Sequence, residues 1–150
     1  MPLMADSDSH FRLFLGDIGM FSYQSGINAS QFISSERETT LSGIFFENFA
    51  ANELTAKGHK LFYWRGKTSS EIEFIIESGG KLYPIDVKKG RGVLNSLEKF
   101  ASHNRFECAV KVSKNNYGYD EGRKLLTVPF YYFPFVAAEL ANGNFTVKSN

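Results

Sequence analysis

The sequence predicts an α/β domain in which helices flank a central mixed sheet that contains an antiparallel hairpin. Three observations predict this class. A mostly apolar stretch at residues 41–57 is typical of a buried helix, strand-like runs surround a Gly-Gly turn, and another helix and two strands follow. Because 150 residues suffice for one core, we expect one domain over residues 11–150, after a disordered leader at residues 1–10.

Hydrophobic patterning and turn residues place the elements in chain order. The predicted strands are residues 11–19, 60–65, 71–77, 81–89, 107–113 and 124–133. The predicted helices are residues 41–57, which Gly58 ends, residues 94–103, and a closing helix from Pro134 to Leu140. Residues 22–40, 90–92 and 114–123 are predicted loops. We assign the aromatic run at residues 130–133, with Phe135, to the core of the last strand, and a partner-facing surface is the alternative.

Composition limits the classes of function. Lys and Arg together number 17 and Asp and Glu 16, so the net charge of +1 lacks the basic bias that marks many nucleic-acid binders. One cysteine, Cys108, excludes an internal disulfide and a cysteine zinc cluster. No apolar run approaches the roughly 18 residues of a membrane span, and the first ten residues do not form a secretory signal. We therefore expect a soluble cytoplasmic protein without a membrane partner.

The Gly-Gly turn places charged side chains opposite one another. Two adjacent glycines favour a two-residue hairpin because both can adopt positive φ. Ser78 then pairs with Lys81, and Glu73 lies opposite Asp86 with the Cβ atoms about 5 Å apart. Strand alternation puts Lys88 on the same face as Asp86.

Facing carboxylates repel, so water, a cation, a shared proton or a bound metal must offset the repulsion. Mg²⁺ or Mn²⁺ takes carboxylate oxygens and waters, and a nearby lysine can contact the same phosphate. Glu73, Asp86 and Lys88 are therefore the minimal set for metal-assisted phosphodiester hydrolysis. The alternative is the solvated face of an antiparallel sheet, and a one-residue change in the turn would move Glu73 to the other face.

The first long helix carries an acidic residue on an apolar stripe. Glu47 lies between Ile44, Ala50, Ala51 and Leu54 when the sequence is placed at 100° per residue. An inward carboxylate needs a partner, which can be a metal, a lysine or backbone donors. A structural pair with a basic side chain explains the position equally well.

A compact basic patch follows the hairpin. Lys88, Lys89 and Arg91 are close in sequence, and Arg65 can join them across the sheet. This pattern predicts phosphate contacts for Lys89, Arg91 and Arg65, and a solvated loop is the alternative.

Four segments together resemble a known family: LSGIFFENF at residues 41–49, YWR at 63–65, EIEFI at 71–75 and PIDVKKG at 84–90. They are similar to the uncharacterised C-terminal domain of prokaryotic AAA+ type ATPases, which looks like a PD-(D/E)xK, restriction-endonuclease-like fold. The resemblance spans about residues 11–140. It implies that Glu47 is the acidic residue of the first helix, Glu73 and Asp86 are the metal carboxylates, and Lys88 is the catalytic lysine. Two departures stand out, since Glu73 occupies the place of a usual Asp and Asp86 that of a frequent Glu.

The resemblance also implies an AAA+ ATPase module upstream in a longer protein. This chain contains no G-x-x-x-x-G-K-[ST] phosphate loop and therefore no ATP site of that type. The leading hypothesis is a nuclease-like domain that uses Mg²⁺ or Mn²⁺ to hydrolyse DNA, with weak and salt-sensitive affinity for DNA. The first alternative is an inactive nuclease-fold module that docks DNA or a protein partner for the ATPase. The second is a metal-free fragment whose catalytic geometry requires the ATPase.

Overall fold

The computed structural model describes residues 11–26, 40–66, 70–88, 95–143 and 145–147. Its helices are α1 (Ile18–Gln24), α2 (Thr40–Ala56), α3 (Asn95–Ala101) and α4 (Phe133–Ala141), with a 3₁₀ turn at Phe130–Tyr132. Its strands are β1 (Phe62–Arg65), β2 (Glu71–Ser78), β3 (Lys81–Val87), β4 (Ala109–Ser113), β5 (Gly118–Asp120) and β6 (Leu125–Pro129). These elements confirm the predicted α/β class with a central mixed sheet and flanking helices.

The six-stranded sheet has the order β1-β2-β3-β4-β6-β5. The two pairs β1–β2 and β2–β3 are antiparallel, β3–β4 and β4–β6 are parallel, and β5–β6 is antiparallel. The chain passes through α3 between β3 and β4, as a parallel connection requires. Consequently the carboxyl ends of β3, β4 and β6 lie at one edge of the sheet.

The core consists of two clusters. The larger cluster joins α2 and α4 to alternate residues of the central strands, namely Phe74, Ile76, Tyr83, Ile85, Val87, Val110, Val112, Leu126 and Val128. The smaller cluster joins Leu97 and Phe100 of α3 to Ile72, Ile75, Ala109 and Leu125. Within the described ranges, no helix is long and apolar enough to cross a membrane.

The hairpin register agrees with the sequence prediction. Ser78 pairs with Lys81 and Phe74 with Ile85, and the two turn glycines have φ values of +57° and +73°. The register on the other side of β2 contains a bulge, because Phe62 pairs with Ile75 but Trp64 pairs with Ile72. The extra residue in β2 lets Ile72 and Ile75, three positions apart, join the same cluster.

The predicted strand at residues 11–19 is wrong. Residues 11–17 are irregular, and α1 begins after Asp17, whose carboxylate accepts a hydrogen bond from the Met20 N–H at 2.6 Å. The side chain of Asn48 makes the hydrogen bonds to Leu15 that a neighbouring strand would otherwise make. This side chain accepts from the Leu15 N–H at 2.8 Å and donates to the Leu15 carbonyl at 2.9 Å. A side-chain amide can therefore satisfy this backbone without extending the sheet.

The end of the chain departs from the prediction in two places. The polar loop at residues 114–123 contains β5, which pairs with β6. The final strand ends at Pro129 rather than at residue 133, because its last partner on β4 is Ser113. The aromatic run therefore forms a 3₁₀ turn and the start of α4, with Pro134 in the first turn of that helix. The core assignment was wrong for Tyr131, Tyr132 and Phe135, which are 80%, 41% and 63% exposed, whereas Phe133 is buried.

Candidate functional site

Two carboxylates and a lysine converge where β2 and β3 approach the edge of the sheet. The register that continues from Phe74 and Ile85 sets Glu73 opposite Asp86. The Lys88 Nζ atom donates to Glu73 Oε1 at 2.8 Å and lies 3.1 Å from Asp86 Oδ1. Glu73 is 6% exposed and Asp86 is 9% exposed. The structure thus brings together the three residues that the sequence placed on one face.

The backbone around this cluster fixes the side chains. The bulge in β2 falls between Ile72 and Ile75, so Glu73 can share the face of Asp86 while Ile72 remains packed. The Val87 N–H donates to Glu73 Oε2 at 3.2 Å. After β3 ends, the Lys88 N–H donates to the Val112 carbonyl at 2.9 Å, which holds the lysine backbone against β4.

The electrostatics of the cluster follow from burial and proximity. Burial, followed by the charge and hydrogen bond of Asp86, raises the pKa of Glu73 to about 8, although Lys88 opposes this shift. Burial lowers the pKa of Lys88, but attraction to Glu73 and Asp86 outweighs it, so this pKa is raised overall. Lys88 is therefore an ammonium ion at neutral pH, which can donate hydrogen bonds and stabilise negative charge but cannot act as a base.

Glu47 has a basic partner rather than a direct contact with the carboxylate pair. The Arg12 Nη1 atom lies 3.4 Å from Glu47 Oε2, and Arg12 also donates to the carboxylate of Glu71. Burial raises the pKa of Glu47, while the charges of Arg12 and Lys88 oppose that shift. The structure thus shows the ion pair that the sequence left as an alternative. The sequence could not identify Arg12 as the partner of Glu47, because the pattern of residues 11–19 predicted a strand and did not indicate a contact with α2.

The predicted phosphate-binding residues are only partly described. Arg65 is exposed at the end of β1, where its register partner is Glu71 rather than Glu73 or Asp86. Lys89 and Arg91 lie outside the described residues. Their phosphate contacts therefore stay a prediction.

A second lysine, which the sequence reasoning missed, lies next to the cluster. Lys111 on β4 pairs with Asp86 on β3 and is 7% exposed. Thr127 on β6 is the next residue in register. A polar row therefore crosses four neighbouring strands through Glu73, Asp86, Lys111 and Thr127. The available signal was a single lysine inside an apolar strand, but only the parallel register identifies Asp86 as its neighbour.

The donor set suits a hydrated hard cation. Within the ranges that the structure describes, no group of three or more His, Cys, Asp or Glu side chains is arranged to hold a metal ion. Mg²⁺, however, commonly keeps several waters and binds through one or two carboxylates. Glu73 and Asp86 supply two such carboxylates, and their mutual repulsion is what a divalent cation would relieve.

The fold and the site define a mixed α/β domain with a buried carboxylate–lysine cluster at one edge of its sheet. The chain belongs to the family described as Domain of unknown function (DUF4143), whose family model matches residues 42–131. This range contains the whole cluster together with Glu47 and Lys111, while Arg12 lies before it. Comparison with curated proteins and with solved structures gave no significant match.

Proposed function

We propose that this domain hydrolyses phosphodiester bonds of DNA and that Glu73 and Asp86 hold Mg²⁺ or Mn²⁺ for the reaction. The observation that carries the proposal is the buried carboxylate pair with the Lys88 ammonium group between its two members. The resemblance to the C-terminal domain of AAA+ type ATPases supports the same assignment. It implies a restriction-endonuclease-like core and an ATPase module as the partner in a longer chain.

Each residue of the cluster has a distinct task in this proposal. When bound, the metal supplies Lewis-acid polarisation of the phosphoryl group and a water molecule of lowered pKa. Glu73 and Asp86 provide its protein ligands. Lys88, whose raised pKa keeps it charged, donates hydrogen bonds to a phosphate oxygen or orients the attacking water. Glu47 assists from α2 by adding a further carboxylate and by holding Arg12.

A second candidate function is an inactive module that docks DNA or a protein partner for the ATPase. One observation favours it. Lys88 already bridges the carboxylates, so a cation of the chain itself offsets their repulsion. In this alternative, the cluster needs no metal, and the domain binds without cutting.

A cleavage assay tests the proposal. Linear and nicked DNA are incubated with the chain and Mn²⁺, and cleavage is compared between the parent, Asp86→Asn and Glu77→Gln. Glu77 is an exposed carboxylate on the same strand as Glu73 and serves as the control. We expect at least about a 100-fold loss of rate in Asp86→Asn, because a metal contributes several kcal/mol to such a transition state. Cleavage by Asp86→Asn at the parental rate would show that a contaminant cuts the DNA.

Thermal unfolding separates the two candidate functions. A ligand that binds the folded chain raises its melting temperature, so titration with Mn²⁺ should raise it for the parent protein. The shift should be absent in Glu73→Ala and present in Glu77→Gln. A parent protein that shows neither a shift nor cleavage supports the docking module instead.

A further inference from the structure

A surface of exposed aromatic rings lies beside the end of β6. We call it the aromatic surface, and its members are Tyr117, Tyr131, Tyr132 and Phe135, which are 54%, 80%, 41% and 63% exposed. The rings of Tyr117 and Tyr132 have centroids 5.6 Å apart, and those of Tyr132 and Phe135 are 5.4 Å apart. The rings of Tyr117, Tyr132 and Phe135 therefore form one continuous patch, and Tyr131, the most exposed of the four, precedes Tyr132 in the chain.

Two neighbouring phenylalanines packed on or in the core hold these rings outward. Phe130 stacks on Phe46 of α2 with centroids 3.9 Å apart and an interplanar angle of 19°. Phe133 is fully buried in the larger core cluster. Because Tyr131 and Tyr132 lie between these two anchors, the turn cannot bury them without losing the packing on either side.

The aromatic surface lies at the same edge of the sheet as the carboxylate–lysine cluster. Val87 pairs with Val112, and Ser113 pairs with Pro129, so Lys88 is level with Ser113 and Pro129 across three parallel strands. Neighbouring strands are about 4.8 Å apart, which puts the backbones of Lys88 and Pro129 roughly 10 Å apart. The aromatic surface starts within two residues of Pro129, on the side of the sheet that α2 and α4 cover. Because Glu73 and Asp86 are on the opposite face, a strand bound to both must pass around the carboxyl ends of β3, β4 and β6.

The chemistry of this surface fits a nucleic-acid strand. Three of its four rings belong to tyrosine, and the neighbouring Lys114 is exposed, with no ion pair among the described residues. Asn115 and Asn116 are also exposed. Aromatic rings stack on bases, and a nearby cation contacts the phosphates, which is how proteins bind single strands without reading their sequence. A negatively charged strand complements the exposed ammonium group of Lys114.

We propose that the aromatic surface binds single-stranded nucleic acid and leads it to the cluster of Glu73, Asp86 and Lys88. Unpaired bases stack on Tyr131 and its neighbouring rings, while Lys114 contacts the backbone phosphates. A duplex keeps its bases stacked internally and cannot use the rings in this way. The inference takes nucleic acid as the substrate class from the proposed function and adds that the bound strand is unpaired.

Binding in the absence of metal tests the inference separately from hydrolysis. Fluorescence anisotropy is measured in EDTA at low salt with a labelled 20-mer of thymidine and with a labelled 20-base-pair duplex. We expect the single strand to bind more tightly. Tyr131→Ala should weaken its binding about 5- to 100-fold, the loss of one stacked base, whereas Tyr131→Phe keeps the ring and the affinity. Tyr23→Ala is the matched control, because Tyr23 is 87% exposed on α1.

Salt dependence tests the role of Lys114. Removing one phosphate contact from a single strand lowers the slope of log affinity against log salt by about 0.7, and we expect this change in Lys114→Met. The inference is overturned if duplex and single strand bind equally, or if Tyr131→Ala binds like the parent. If Tyr131→Ala instead alters only the sedimentation of the chain, the surface is a contact between protein copies, and the inference is also overturned.

The outcomes for binding and hydrolysis are independent. Single-strand binding that depends on Tyr131, without any Mn²⁺-dependent cleavage, supports this inference and counts against the proposed hydrolysis. Cleavage that requires Asp86, with unchanged binding in Tyr131→Ala, supports hydrolysis and overturns this inference.

Discussion

The two faces of the β2–β3 hairpin are similarly buried but chemically opposite. On the face toward α2 and α4, Phe74 and Ile85 are at most 1% exposed and apolar. On the other face, Glu73 and Asp86 are at most 9% exposed and acidic. The first face stabilises the fold by removing apolar area from water, whereas the second requires charges to be desolvated beside one another. This difference is the reason why we propose a function for the acidic face.

The largest effect expected from this comparison is on the apolar face. Phe74→Ala should lower the free energy of unfolding by about 3–5 kcal/mol, because it removes a fully buried ring and leaves a cavity. Urea denaturation measures the change. Phe135→Ala, which removes a ring that is 63% exposed, serves as the control and should change stability by less than about 0.5 kcal/mol. Equal losses in the two variants would contradict the assignment of Phe74 to the core.

In the absence of metal, the acidic face should make the free energy of unfolding depend on pH. The pKa of Glu73 is raised from an ordinary value of 4.5 to about 8 by burial and by Asp86. The folded chain therefore keeps a proton that the unfolded chain releases as pH rises above 4.5. The contribution of this proton to the free energy of unfolding is complete below pH 4.5 and is lost progressively up to about pH 8. For one proton, the free energy of unfolding falls by at most about 1.4 kcal/mol per pH unit.

Urea denaturation in EDTA at pH 5, 6, 7 and 8 measures this effect. Glu73→Gln mimics the protonated side chain and should flatten the profile, while the exposed-site control Glu77→Gln should keep the parental slope. A parental profile that rises between pH 5 and 8 to the same extent in all three proteins would show that Glu73 is ionised in the folded chain.

Asn48 shows that a buried polar group can serve the fold alone, and so it sharpens the contrast with Glu73. It is 2% exposed, and both of its hydrogen bonds go to the backbone of Leu15. Asn48→Leu should cost about 1–3 kcal/mol, because it leaves the N–H and carbonyl of Leu15 without partners. Hydrogen exchange at Leu15 should accelerate in the same variant. Asn52 is partly exposed, so Asn52→Leu provides the control. Slow exchange of the Leu15 N–H in Asn48→Leu would contradict this account.

The smallest effect is expected at the ion pair outside the acidic face. Arg12 and its partners Glu47 and Glu71 have side chains that are 25–39% exposed. Arg12→Met should therefore change stability by about 0–1 kcal/mol, and the change should shrink as salt is added. Thermal unfolding at low and high salt measures it, with the more exposed Arg123→Met for comparison. A large loss of stability in Arg12→Met that is the same at low and high salt would contradict this prediction, because it would show that the ion pair is buried.

The residues of the carboxylate–lysine cluster were predictable because neighbouring residues of one hairpin determine their arrangement. The Gly-Gly turn sets the hairpin register, and strand alternation then places Glu73, Asp86 and Lys88 together. The end of α2 was predictable for the same reason, since Gly58 adopts a φ of +82°, which glycine tolerates better than other residues. In both places a few neighbouring residues determine the backbone, whatever packs around them.

The sequence by itself therefore determined the α/β class, the hairpin and the three residues that meet on it. Only the tertiary structure decided that Lys111 lies beside Asp86, because a parallel register depends on how α3 packs between the two strands. It also decided that Arg12 pairs with Glu47, a contact between residues 35 positions apart. The exposure of Tyr131 was decided in the same way, since β6 ends where its neighbour does. Local patterns fix turns and faces, whereas contacts between distant segments depend on the packing of the whole chain.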